Sequence, residues 1–174
     1  MSDHELSETQ RMIRASVRAI AEEHFRPKAA EVDRTRRPPV ENVKILAEHG
    51  FVGVFIPQKY GGPGLNLLDI VVVVEEVSRC CANTAILVGC TDGATSRAIL
   101  HLGSEEQKQL YLPRVARGEL LCAWSMSEPN AGSDVLSMRL RAERTGSGAS
   151  QRYVLNGTKM WITNGPEADT LVVY

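Results

Sequence analysis

Leu67-Leu68-Asp69-Ile70-Val71-Val72-Val73-Val74-Glu75-Glu76-Val77-Ser78 decides the fold, because it reads two ways. Its four consecutive valines alone favour a strand, yet the segment is apolar on nearly every face, as a helix enclosed by others would be. We read residues 66–78 as a buried central helix. Upstream, Ser7 and Gln10 form a capping-box start, and Ile13, Val17, Ile20 and Phe25 recur at helical spacing until Pro27 interrupts the ladder. After Arg36-Arg37-Pro38-Pro39, residues Val43, Leu46 and Ala47 predict a short helix that Gly50 closes with a left-handed cap. Downstream, a second apolar helical stretch spans 83–102, relieved by Thr91, Asp92 and Arg97. Ser104 and Gln107 then open an amphipathic helix carrying Leu110, Leu112 and Val115, which fades at Gly118.

The period changes at Leu120. Met138, Leu140 and Ala142 alternate with Arg139, Arg141 and Glu143, the pattern of a strand with one buried and one solvated face. Residues 145–150 read as a flexible turn. Asn156-Gly157, flanked by Tyr153-Val154-Leu155 and Met160-Trp161-Ile162, predicts a type I′ hairpin. The chain stops inside the apolar run Thr170–Tyr174, which leaves a sheet edge uncovered, so a truncated domain is expected. The expected class is α+β, with a helical domain over 1–119 followed by the first strands of a β domain over 120–174. No internal repeat or low-complexity segment interrupts it.

With 174 residues, 43% hydrophobic and 24% charged, the composition is that of a soluble globular protein. A net charge of -1, from 20 basic and 21 acidic residues, argues against a nucleic-acid or membrane-surface partner. Cys80, Cys81, Cys90 and Cys122 show no metal-ligand spacing and read as buried free thiols. The start Met1–Leu6 has no signal region, so a cytoplasmic, bacterial protein is expected. The longest apolar run, Ile70 to Val74, falls far short of the roughly 18 residues a membrane span needs.

Two segments carry candidate chemistry. In Trp124-Ser125-Met126-Ser127-Glu128-Pro129-Asn130-Ala131-Gly132-Ser133-Asp134, small residues let backbone amides approach an anion, and hydroxyls add directional hydrogen bonds. A phosphate or pyrophosphate fits; so does a plain strand end and turn. In Asn156-Gly157-Thr158-Lys159-Met160-Trp161-Ile162-Thr163-Asn164-Gly165, a strand would put Trp161 and Thr163 on one side. An aromatic plane beside a hydroxyl suits a planar redox ring, although a core tryptophan is the commoner reading.

Together, SMSEPNAGSDVLSM and NGTKMWITNGPEAD resemble the acyl-CoA dehydrogenase family, nearest in appearance to its isovaleryl-CoA dehydrogenase branch. YGGPGLNLLDIVVVVEEVSR and SEEQKQLYLPRVARGE extend the resemblance over essentially the whole chain. It implies a helical domain, a β-barrel-like middle domain and a C-terminal helical bundle, with FAD between the last two. By position, Trp124, Met126 and Ser127 would line the flavin. Gly132 and Ser133 would lie by the pyrophosphate, with Ser133 also touching the acyl-CoA, and Trp161, Ile162 and Thr163 would sit against the isoalloxazine. The implied reaction is α,β-dehydrogenation of a short or branched acyl-CoA, in fatty-acid or branched-chain amino-acid catabolism. Electrons would pass to an electron-transfer flavoprotein, and the family default is a homotetramer. Ser125 departs from the family's usual Gly, Ala or Cys.

The family's catalytic glutamate belongs to the C-terminal domain, so no catalytic residue is expected in this chain, which alone would be inactive. Glu75 and Glu76 sit side by side and read as solvated or helix-end charges; Glu128 reads as structural. His4, His24, His49 and His101 lie too far apart for Ser/His/Asp chemistry. The alternatives are an oxygen-using oxidase or monooxygenase relative, and a non-catalytic remnant or split subunit needing a partner chain.

Overall fold

The computed structural model describes residues 6–174; His4 and the rest of the extreme N-terminus lie outside them. Helix α1 (Glu8–Ile20) opens with the expected reciprocal cap, Ser7 Oγ accepting from Gln10 N while Gln10 Oε1 accepts from Ser7 N. It does not end at Pro27. A π-helical stretch, Ala21–Phe25, and a 3₁₀ turn, Arg26–Lys28, carry the rod into α2 (Ala29–Thr35). Pro27 sits in the first turn of the 3₁₀ segment, where its missing N–H is not needed. Helix α3 (Val40–Glu48) ends as predicted: Gly50 takes φ 76°, letting its N–H reach Ala47 O and the Phe51 N–H reach Leu46 O.

The decisive stretch is helix α4 (Leu67–Ser78). Asn66 accepts from Leu68 N and Asp69 N, and the Asp69 carboxylate both accepts from Asn66 N and takes the Gln10 amide at 2.9 Å, joining α4 to α1. Val72, Val73 and Val77 are fully enclosed between α1 and α5 (Ala82–Gly89), while Val71 remains 43% exposed. Tertiary packing therefore overrides valine's strand preference. Helix α5 runs through a π-helical segment, Cys90–Ser96, into α6 (Arg97–Leu102), and Gly103 ends it. Helix α7 (Glu105–Ala116) starts with the Ser104/Gln107 box.

Glu76 corrects the sequence reading. Its side chain is 2% exposed and accepts from Arg18 Nε and Nη2 at 2.9 Å and from Arg79 Nη1 at 2.8 Å. The Arg18 bonds, helped by Arg79, keep its carboxyl below the usual glutamate range. Glu75 stays partly exposed and pairs with Arg14. Adjacent side chains point 100° apart, so one of the two faces α1 while the other leans to solvent.

Strand β1 (Cys122–Ser125) pairs in parallel with β4 (Thr170–Val173), and β2 (Arg141–Thr145) antiparallel with β3 (Arg152–Asn156). The predicted Asn156-Gly157 hairpin is not there. The β2–β3 connection is the 146–151 loop, and Gly157 instead passes so close to Leu140 that a Cβ would stand 2.8 Å from Leu140 Cα. Met138 and Leu140 precede β2 rather than belonging to it, because the Arg139 and Leu140 N–H groups go to the Glu128 carboxylate instead of a ladder. Both faces of β2 and β3 are exposed among the described residues, so the predicted buried face of β2 is not covered. One apolar core lies among α1, α3, α4 and α5; a second gathers Ile56, Tyr60, Leu112, Val115 and Cys122 beneath β1. Among the described residues no helix is long and apolar enough to cross a membrane.

Candidate functional site

β1 leads directly into the site. Ser125 turns inward, and Trp124 rests on Tyr174 with ring centroids 4.7 Å apart. Past the strand, Glu128 N donates to Ala131 O and Ala131 N to Glu128 O, a closed turn that leaves Gly132 and Ser133 exposed. A Cβ on Gly132 would meet nothing within 4 Å, so the backbone there is open to a ligand. Six of the predicted flavin residues, Trp124, Met126, Ser127, Trp161, Ile162 and Thr163, line one recess of about 280 Å³. Gly132 and Ser133 are not among the residues that line it.

Trp161 and Thr163 reach that recess by a different route from the one predicted. Residues 157–169 form no strand; Trp161 adopts φ 58° and Asn164 φ 64°, and Trp161 is 84% exposed. Alternation along a strand therefore does not set their directions; two left-handed residues do.

Glu128 is tied into the fold by three donors. Its carboxylate accepts from Arg139 N (2.6 Å), Leu140 N (2.9 Å) and Lys159 Nζ (2.9 Å), and these donors, the backbone pair foremost, pull it down to about 2. Lys159 also donates to Met126 O at 2.8 Å, tying the two motifs together.

The helical domain supplies residues that the sequence reading missed. Cys90 and Ala94 close the recess from the π-helical segment. Cys90 and Thr163 also border an apolar groove with Val74, Ala85 and Gly89, and this groove continues past Ile70, Val71 and Gly93. Burial pushes the Cys90 thiol up, so it stays protonated and apolar in character. The signal was present: Gly89 with Gly93, and Cys90 with Ala94, are small pairs four apart on one helix. Asp92 points the other way. It is fully buried and accepts from Gly53 N at 2.7 Å and Val54 N at 3.2 Å. Desolvation pushes its carboxyl up to about 7.

Comparison with known proteins settles the family. Residues 7–119 match the acyl-CoA dehydrogenase N-terminal domain, and residues 123–174 match the acyl-CoA dehydrogenase middle domain. The chain belongs to the acyl-CoA dehydrogenase family. It is 44% identical over 171 residues to an isovaleryl-CoA dehydrogenase, named mitochondrial, from Pongo abelii, covering 97% of this chain and 40% of that one. A glutaryl-CoA dehydrogenase from Mycobacterium smegmatis, solved with FADH2, superposes with a TM-score of 0.91 at 32% identity, over 99% of this chain and 43% of that chain. A chain from a structure described as an electron transferring flavoprotein of Acidaminococcus fermentans superposes with a TM-score of 0.90 at 36% identity, over 99% and 44%. This acyl-CoA dehydrogenase chain thus spans about 40% of the length of the relatives it matches.

Proposed function

We propose that this chain forms the helical domain and one flavin wall of an FAD-dependent acyl-CoA dehydrogenase, acting on a short or branched acyl-CoA as part of a longer enzyme. One observation carries the reading: the recess lined by the six aromatic, hydroxyl and apolar residues opens onto an apolar groove, and the two meet at Cys90 and Thr163. A flat redox ring in the first and an acyl chain in the second would bring ring and chain together at that junction. Bound FAD would accept the β-hydrogen of the thioester as hydride. Trp161 offers an unclaimed aromatic face, Thr163 an exposed hydroxyl, and Met126 and Ser127 the opposite border. The open backbone at Gly132 and the Ser133 hydroxyl suit the pyrophosphate, with Ser133 also within reach of the acyl-CoA.

The α-proton needs a base, and this chain's nearest carboxylates are committed. Glu75, which borders the groove, is held by Arg14, Glu76 by Arg18 and Arg79, Glu128 by Lys159 and two backbone N–H groups, and Asp92 by Gly53 and Val54. We assign the base to polypeptide beyond these 174 residues, consistent with the share of the relatives' length that the chain covers. A domain division at residue 119/120 is supported by the end of α7 at Ala116 and the start of β1 at Cys122. An electron-transfer flavoprotein as acceptor is supported by the description of one structural neighbour, and a homotetramer is the assembly proposed. Both solved neighbours come from bacteria, which favours the bacterial cytoplasm as the setting.

The test is turnover of the FAD-loaded enzyme with isovaleryl-CoA and a dye acceptor, with the thioester followed by mass. Loss of two hydrogens with dye reduction supports the assignment. Peroxide release without dye selects an oxidase, and no turnover with any acyl-CoA refutes it.

A further inference from the structure

The strip Met160–Thr163, which forms one border of the recess, has no ladder to hold it. Its backbone bonds are few: Met160 N donates to Ser127 O at 2.9 Å, and Gly165 N to Ile162 O at 3.0 Å. Trp161 is left-handed, a conformation bulky residues seldom adopt, and the residue is too exposed for packing to impose it. Within the strip, Thr163 O accepts only a long bond from the Cys90 thiol at 3.9 Å, so the main constraint comes from the two ends. At one end the buried Lys159 ammonium is pinned to Met126 O (2.8 Å) and Glu128 Oε1 (2.9 Å), with Met138 Sδ at 3.5 Å. At the other, Asn164 is buried and left-handed, a conformation asparagine tolerates, and its Nδ2 donates to Cys122 O in β1 (3.0 Å) and Leu87 O in α5 (3.4 Å). Cys122 N in turn donates to Thr91 Oγ1, so β1, the helical domain and the strip are fastened at one point.

We propose that Lys159 and Asn164 are positioning residues: a two-ended clamp that holds Trp161, Ile162 and Thr163 in the arrangement presented to the flavin. The proposal rests on the flavin reading above. Neither residue lines the recess, so neither touches the ring; each acts through the strip. The clamp also joins the recess to α5, whose Ala85 and Gly89 border the apolar groove, which ties the flavin border to the acyl-chain border.

The experiment uses the FAD-loaded enzyme containing this chain and reads the flavin midpoint potential, the visible band structure and the rate of flavin reduction by isovaleryl-CoA. Asn164→Gly keeps the left-handed freedom and removes the amide; Asn164→Asp keeps shape but sets carboxylate oxygens against two carbonyls. Both variants are expected to retain FAD, to show a changed band structure and potential, and to reduce at least tenfold more slowly with KM within about twofold of the parent. Lys159→Arg is expected to recover most of what Lys159→Met loses. A cycle with Thr163→Val decides the route: if Asn164 acts through the strip, Asn164→Gly adds little in the Thr163→Val background. Unchanged potential and reduction rate in Asn164→Gly, or full additivity with Thr163→Val, overturns the clamp while leaving the flavin reading intact. A parent enzyme that holds no FAD overturns both.

Discussion

Asp92→Asn is the perturbation whose sign and size follow most fully from the structure. The Asp92 carboxyl is completely enclosed, and its carboxylate form has only the Gly53 and Val54 N–H groups to replace water. Gly53 presents its N–H from a left-handed φ of 68°, a position where a side chain would run into Ala116. Burial raises the folded-state value from 3.8 to about 7, so between those limits the folded protein holds a proton that the unfolded chain has released. Stability therefore falls as pH rises through that window, by about 1.4 kcal/mol per pH unit where the difference is complete. Between pH 5 and 7 the loss comes to about 2 kcal/mol, because titration near 7 shortens the last step. In Asp92→Asn the amide oxygen still accepts one of the two N–H groups, while the other loses its partner at a cost of roughly 1–3 kcal/mol that does not vary with pH. Urea unfolding at pH 5, 6 and 7 checks this: the variant's deficit is expected to shrink by about 2 kcal/mol over that range. Parallel stability profiles for parent and variant would refute the reasoning.

Three further outcomes are expected. Glu76→Ala takes the enclosed carboxylate from Arg18 and Arg79, while Arg14 keeps Glu75, and costs roughly 2 kcal/mol, since Arg18 and Arg79 keep about half their side-chain surface in water. Glu76's share of stability is present above its ordinary value of 4.5 and is lost as pH falls through the depressed folded value, so parent and variant converge in acid unfolding. Gly93→Val puts a side chain into open groove space, so the protein folds while KM for longer acyl-CoA substrates rises about tenfold, read from steady-state kinetics against a short-chain control. FAD binding is expected to quench both tryptophans that line the recess, so the tryptophan emission change on FAD titration shrinks in Trp161→Phe and what remains comes from Trp124.

The helical half was largely legible because its signals are local. Capping boxes at Ser7 and Ser104 and the left-handed Gly50 each depend on residues within a few positions of one another, and all three appear as read. The β half was harder, since a ladder depends on where backbone N–H groups find acceptors. The Glu128 carboxylate, 11 residues away, took two of them and displaced the start of β2. Asn156-Gly157 carried the right turn chemistry, yet its place was taken by a close crossing over Leu140. The site divided in the same way. The two candidate motifs stood out as strings and their residues meet in one recess, whereas Cys90, Asn164 and the groove depend on which face of the α5 rod meets the 160–164 strip. Glu76 looked like one of two surface charges until α1 supplied Arg18.

The most direct test of the central claim is the visible spectrum of the FAD-loaded enzyme containing this chain, before and after anaerobic addition of isovaleryl-CoA. The account predicts a yellow protein whose flavin bleaches on mixing, and whose bleaching slows in Thr163→Val. A protein that fails to retain FAD, or a bound flavin that stays oxidised with every acyl-CoA offered, would contradict it.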